Sequence, residues 1–356
     1  MDLHQFSDSR ISLADRMKDF SPVARIFRPQ RTRRPRLIVP RITLVAVPFM
    51  NIEVFLTEAE IAQEFVESIE ARDLPEKFFY WFPRSVRAWL ELAQNSVTSG
   101  LRQCWDGLDT SALKLPAGDE ATLSVVSLGS GDGAKDRALI KSLQQAGRTM
   151  KYFPVDASQT LLELACSAAE DAEIEAMGIK ADISSPMHLV LASDAAESPK
   201  IFVMSGNTLG GFDPLDQVRH LAECMHAGDR LIIDAENSYE AVLARGEDPA
   251  VRRFAMAPLA TAGIAEEDGE LRFEHKRDER HAGLHLITRF FRADRDLTLA
   301  LPGAHTLPRG ERVFLNFRYA CTPDAFRWLL TRHAGLKILE EIRCQDGKST
   351  IAVCSR

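Results

Sequence analysis

The sequence predicts an α/β fold in which a largely parallel sheet carries helices on both faces and is joined to a smaller α+β part. Three observations carry that expectation. Short apolar strands alternate with helical stretches between Leu123 and Asp234. The first strand runs into closely spaced glycines at Val125-Val-Ser-Leu-Gly-Ser-Gly-Asp-Gly133, and between about 247 and 318 the alternation gives way to strands separated by turns. With 356 residues, 45% hydrophobic and 27% charged, the chain can bury a sizeable core as one large domain or two smaller ones.

Taken in order, residues 1–50 read as a basic arm and an extended segment. Seven arginines and no acid lie between Arg25 and Arg41, a solvated stretch or one that contacts a protein partner. The net charge of −7 leaves no overall basic footprint for nucleic acid. The apolar run from Leu37 to Met50 is interrupted by Pro40, Arg41 and Pro48 and is too short for a bilayer, so extended chain and no membrane contact are expected. The start, Met1-Asp-Leu-His-Gln, lacks a basic, apolar secretion signal, and six cysteines stand without a C-x-x-C pair. Reduced thiols and a cytoplasmic location are the expectation.

Residues 51–110 read as a helical part of a substrate domain. Thr57 and Glu60 form a capping box ahead of apolar residues at helical spacing up to Glu70. Five consecutive aromatics, Phe78 to Phe82, cannot all point inward, so some rings should line a cleft, and a helix with Trp89 follows from Ser85 to Gln94. Residues 111–246 hold the alternating core, with strands at 123–128, 151–155, 178–182, 200–204 and 230–234. The fourth enters a second glycine-rich loop, Ser205-Gly-Asn-Thr-Leu-Gly-Gly-Phe-Asp-Pro214, at the carboxyl edge where open sheets bind ligands.

Residues 247–318 read as an inserted antiparallel part, with strands at 271–275, 283–291, 297–301 and 312–317. Residues 319–356 return to the core with a helix capped by Thr322 and started by Pro323, then a hairpin of 336–343 and 349–354 through Asp346-Gly347.

The glycines stand as G-x-G-x-G, short of the G-x-G-x-x-G dinucleotide fingerprint, which weakens a dehydrogenase reading. Asp156 closes the next strand 27 residues after Gly129, where a carboxylate can meet ribose hydroxyls. No metal is implied. His281 and His285 sit four apart in strand-like sequence without an acid or cysteine at ligand spacing, and they read as partly exposed side chains, as do His220 and His226.

Leu128-Gly-Ser-Gly-Asp-Gly-Ala-Lys135, Phe153-Pro-Val-Asp-Ala-Ser158, Gly206-Asn-Thr-Leu-Gly-Gly-Phe212 and Tyr319-Ala-Cys-Thr-Pro-Asp-Ala-Phe326 occur in that order. Leu74-Pro-Glu-Lys-Phe-Phe-Tyr80 lies upstream. Together, over roughly 74–354, they resemble the histidine-specific methyltransferase family. The resemblance implies a Rossmann-like class I methyltransferase sheet whose final strand inserts antiparallel, with S-adenosylmethionine as cofactor. It places Gly129, Ser130, Gly131 and Lys135 around the methionine part and ribose, Asp156 on the ribose hydroxyls, and Asp182 and Ile183 beside adenine. Ser205 and Gly206 fall on the same side.

On the acceptor side the resemblance gives Tyr80 as the candidate catalytic residue, with Asn207 and Thr208 near the methyl position. The chain departs from the family at Gly211, which stands for an asparagine, at Asn316 and Arg318, which stand for a Glu-x-Ser pair, and near Ala244, where a tyrosine is expected. These departures move the expectation from histidine to another small amino acid or amino-acid-derived metabolite of specialised metabolism, methylated by in-line transfer. Arg318 offers a planar cation for a carboxylate. The alternatives are methylation of histidine at its α-nitrogen, or a cofactor-binding partner protein without catalysis.

Overall fold

The computed structural model describes residues 51–95, 98–115 and 121–356; the arginine-rich arm and the apolar segment up to Met50 lie outside them. Strands β1 (Ile52–Val54), β2 (Leu123–Leu128), β3 (Met150–Asp156), β4 (Gly178–Lys180), β5 (Lys200–Met204) and β6 (Arg230–Glu236) come first. Strands β7 (Gly269–Arg277), β8 (Leu284–Ala293), β9 (Leu297–Thr298), β10 (Thr306–Leu307) and β11 (Arg312–Cys321) follow, and β12 (Lys337–Arg343) and β13 (Ser349–Ser355) close the chain.

Eight of them make one sheet in the order β1-β4-β3-β2-β5-β6-β13-β12. The first six in that order are parallel, and β13 runs antiparallel between β6 and β12, as the family resemblance implied. Every residue of β2 and β5 is buried, because helices cover both faces of such a sheet. Alternation along the strands then divides the core. Val126, Phe202 and Ile233 pack under one layer of helices, while Val125, Ile201 and Ile232 pack under the other.

The helices are α1 (Glu58–Ala71), α2 (Phe78–Trp81), α3 (Pro83–Ala93), α4 (Ser99–Asp106), α5 (Ala134–Gln145), α6 (Gln159–Glu170), α7 (Pro186–Asp194), α8 (Pro214–Cys224), α9 (Tyr239–Arg245), α10 (Pro249–Thr261) and α11 (Pro323–Trp328). Their starts are written in the sequence. The Thr57–Glu60 capping box opens α1, and Ser185-Pro186, Asp213-Pro214, Asp248-Pro249 and Thr322-Pro323 set an oxygen cap ahead of a proline at α7, α8, α10 and α11. Leu189 of α7, Leu221 of α8 and Phe326 of α11 cover one face of the sheet. Trp105 of α4, Leu139 of α5 and Ala165 of α6 cover the other.

A second sheet, in the order β11-β8-β7, is antiparallel. Its residues Leu271, Phe291 and Val313 share a core with Ile61 and Phe65 of α1, Phe78 and Phe79 of α2, and Phe254 and Leu259 of α10. Among the described residues no helix is long and apolar enough to cross a membrane.

Three details differ from the sequence reading. Ile52–Val54 is an edge strand paired in parallel with β4, not part of a helical segment. The strand expected over 178–182 ends at Lys180. The inserted region opens with α10, which strand patterning missed although Asp248-Pro249 announces it; Pro258 inside the helix obscured the period.

Candidate active site

Strands β2 and β5 are neighbours, but from them the chain winds to opposite flanks of the sheet, so the loops leaving their carboxyl ends part and open a crevice. These are the two glycine-rich loops, 129–133 and 205–212. A cavity of 610 Å3 lies between them and the segment 73–80, well within the range of roughly 300–1,000 Å3 usual for small-molecule sites.

Loop 129–133 is pinned from behind. Gly129 and Ser130 N–H donate to the Val155 carbonyl at 2.8 and 3.1 Å, Gly131 N–H donates to Asp156 Oδ2 at 3.0 Å, and Ser158 N–H donates to Asp156 Oδ1 at 2.9 Å. Gly129 and Gly131 hold φ of +68° and +57°, values that side-chain-bearing residues resist. Space forbids a side chain as well. A Cβ on Gly131 would stand 2.5 Å from Trp89 Cη2, and one on Gly129 would stand 2.9 Å from Thr208 Cγ2. The Trp89 indole of α3 therefore rests on the glycine loop.

Two buried carboxyls brace the loops. Desolvation pushes Asp156 up to about 6, and backbone donors from Ser158, Gly131 and Ala157 offset only part of that. Asp234 of β6 is likewise pushed by burial up to about 6. It accepts N–H groups from Gly206 at 2.7 Å, Asn207 at 2.6 Å and Trp105 Nε1 at 2.6 Å, and so ties loop 205–212 to α4. Asp182 lies beyond β4. Burial alone would raise its pKa, but the Lys77 ammonium at 2.7 Å overrides this and holds it below the usual range. Lys77 also reaches Glu64 at 2.6 Å.

A compact charge cluster lines the same cavity beside Gly211. Arg318 Nη2 donates to Glu76 Oε1 at 2.6 Å and lies 3.3 Å from the Tyr80 hydroxyl, which itself donates to Glu76 Oε1 at 2.7 Å. Burial and then the Glu76 charge drive the Tyr80 pKa far above its ordinary value, which favours the neutral phenol. Glu76 Oε2 is buried without a hydrogen-bond partner. Asn316 sits at φ +71° in a bulge of β11 between the Phe314 and Phe317 pairings, with its Nδ2 buried and unpartnered.

The structure brings to this one cavity Tyr80, Gly129, Gly131, Lys135, Asp156, Asp182, Ile183, Ser205, Gly206, Asn207, Thr208, Gly211, Asn316 and Arg318. Ser130 lies behind its wall, with a buried, unpartnered Oγ. Of the aromatic run, Phe78 and Phe79 go to the core and Tyr80 lines the cavity. Sequence reasoning passed over Glu76, Lys77, Trp89 and Asp234. For Glu76 a signal was present, since it stands four residues before Tyr80, one helical turn away.

The histidines go elsewhere, except that His220 also lines the cavity. His281 stacks on Trp328 at 4.4 Å. His285 is buried rather than partly exposed, stacked on Tyr239 with its Nδ1 3.0 Å from His275 Nε2. Among the described residues no group of three or more His, Cys, Asp or Glu has metal-holding geometry.

A second cavity, of 1,150 Å3, adjoins the first. The two share Tyr80, Trp89, Lys135, Gly206, Asn207 and Arg318 as lining.

A family model described as histidine-specific methyltransferase, SAM-dependent, matches residues 108–355. Among solved structures, the magnesium protoporphyrin IX methyltransferase of Synechocystis PCC 6803, with bound SAH, is similar at 12% identity, covering 79% of this chain and 97% of that one, with a TM-score of 0.44. An S-adenosylmethionine-dependent methyltransferase from Clostridium acetobutylicum ATCC 824 is similar at 12% identity, covering 83% of this chain and 98% of that one, with a TM-score of 0.39. No curated protein sequence matches this one.

Proposed function

The chain belongs to the histidine-specific, S-adenosylmethionine-dependent methyltransferase family, and from that premise we propose that it methylates a small amino acid or amino-acid-derived metabolite other than histidine. The observation that carries this reading is the Glu76–Tyr80–Arg318 cluster, which lines the same cavity as the glycine loops and packs against Gly211.

The chain is a methyltransferase, and its cofactor side fits S-adenosylmethionine. The Asp156 carboxylate is an acceptor for ribose hydroxyls, and the backbone of Gly129 and Gly131 borders the cavity with no Cβ in the way. Ile183 offers an apolar contact for the adenine ring, and Lys135 lies where the two cavities meet. When bound, S-adenosylmethionine supplies a methyl group on a sulfonium, a leaving group that needs no acid.

What remains for the protein is alignment, because holding two reactants in attack geometry is worth roughly 7–11 kcal/mol. In this reading Glu76 Oε2 and Asn316 Nδ2, the buried unpartnered acceptor and donor, orient the acceptor, and Tyr80 as a neutral phenol fixes Glu76. Asn207 and Thr208 stand at the junction between donor and acceptor. The unpaired cysteines support a reducing, cytoplasmic setting.

The test is to incubate the full chain with S-adenosylmethionine and pooled amino acids and amines, measuring S-adenosylhomocysteine and identifying the methylated product by mass. A methylated amino acid other than histidine is expected. Nα-methylhistidine as the sole product would replace this reading with the histidine one, and cofactor binding without turnover on any pool would reject an amino-acid acceptor.

A further inference from the structure

Arg289 projects from β8 into the wall of the second cavity, beside Tyr80, Phe254, Ile287 and Arg318. It is 3% exposed, yet its Nε and Nη2 have no hydrogen-bond partner and no acid forms an ion pair with it among the described residues. Its guanidinium carbon lies 5.3 Å from the centroid of the Phe79 ring, a contact that does not neutralise it. Desolvation, followed by the nearby Arg318 charge, pulls its pKa down to about 10. Arg318, by contrast, is already neutralised by Glu76.

A buried guanidinium left unpaired is costly, and charges taken out of water are ordinarily paired. The cluster holds two cations, Arg289 and Arg318, against one carboxylate, Glu76, while Tyr80 stays neutral. One positive charge is uncompensated, and it presents the adjacent Nε and Nη2 donors, the edge that grips a planar oxyanion with two parallel hydrogen bonds.

We propose that Arg289 is the anchor for a carboxylate of the methyl acceptor, so that the acceptor is an amino acid with its carboxylate free, seated in the second cavity and reaching the cofactor across Tyr80 and Asn207. A single negative charge balances the cluster, which favours a carboxylate over a phosphate dianion. This rests on the proposed amino-acid acceptor and moves the carboxylate from Arg318, which Glu76 occupies, to Arg289.

The anchor is tested without turnover by following the melting temperature of the full chain with saturating S-adenosylhomocysteine, titrated at constant ionic strength with acetate, acetamide or inorganic phosphate. Acetate is expected to raise the melting temperature saturably, acetamide to leave it unchanged and phosphate to act less than acetate. Arg289→Met removes an unpaired buried charge, so its ligand-free melting temperature is expected to equal or exceed that of the wild type while the acetate shift disappears. Arg289→Lys, which keeps the charge but loses the fork, guards against a misfolded Met variant and is expected to weaken acetate about 10- to 100-fold. Equal shifts with acetate and acetamide, a larger shift with phosphate, an acetate shift retained in Arg289→Met, or an acetate affinity undiminished in Arg289→Lys would overturn the assignment. In turnover, S-adenosylhomocysteine formed from amines or amino-acid amides as readily as from free amino acids would also overturn it and leave the methyltransferase itself standing.

Discussion

The Arg318 guanidinium fills the space that a side chain at Gly211 would need. A Cβ at 211 would lie 2.7 Å from Arg318 Nη1 and 3.0 Å from Glu76 Cδ. Positions 211 and 318 are thus in direct contact, and a side chain at 211 has to displace the Arg318 guanidinium. Gly211→Asn is expected to break the Glu76–Arg318 pair, raise the KM of the acceptor at least about 10-fold and leave the dissociation constant of S-adenosylhomocysteine within about twofold. Adding Arg318→Ser should recover part of the loss of stability in a denaturant midpoint. Additive effects of the two substitutions would reject the coupling.

Burial pushes Asp156 from 3.8 up to about 6, so the unliganded fold holds this proton more tightly than the unfolded chain does. The stability it contributes is complete below the ordinary value and is lost as pH rises through 6. Asp234 acts with the same sign. The urea midpoint of the wild type, relative to Asp156→Asn, is therefore expected to decline from pH 4 to pH 6.5. Cofactor binding has the opposite sign, because the ionised carboxylate is the better acceptor for ribose hydroxyls, so affinity for S-adenosylhomocysteine should strengthen as pH rises through 6. Parallel pH curves for the two proteins would remove Asp156 from that role.

Tyr80 is held as a neutral phenol bonded to Glu76. Tyr80→Phe should lower kcat about 10-fold by loosening Glu76, without moving either limb of the pH profile. Loss of an alkaline limb in the variant would show that the phenol titrates during turnover, and this assignment would fail.

Asp234 receives three N–H groups. Removing it in Asp234→Ala leaves all three unmet, the Trp105 Nε1–H fully buried, at about 1 kcal/mol each, a total of about 3 kcal/mol, which in a chain of 356 residues corresponds to a drop in melting temperature of roughly 4 °C. Calorimetry on the unliganded protein measures this. A drop under about 2 °C would mean that water replaces the carboxylate.

Much of this architecture was legible because the signals are local. The apolar run at 123–128, the paired caps such as Asp213-Pro214 and the antiparallel terminal hairpin each follow from a few neighbouring residues. The loops at the cavity were legible for the same reason, since Gly129, Asp156 and Gly206 each stand at the carboxyl end of a strand of the main sheet. The Glu76–Tyr80–Arg318 cluster was not. Glu76 meets Arg318 across 242 positions, and Trp89 meets Gly131 through packing between a helix and a loop, so no spacing in the chain announces either contact. Asp234 read as the end of an apolar strand, and nothing local showed three donors converging on it.

Strict alternation along β11 would send every second side chain away from the cavity, yet Phe314, Asn316, Phe317 and Arg318 all line it, because the bulge adds one residue opposite β8. This wall of the cavity therefore depends on chain length as well as on side-chain identity. Losing a single codon at the bulge would straighten the strand and turn part of that wall around without altering any other residue, whereas the cofactor loops, hung from strand ends of the main sheet, would keep their register.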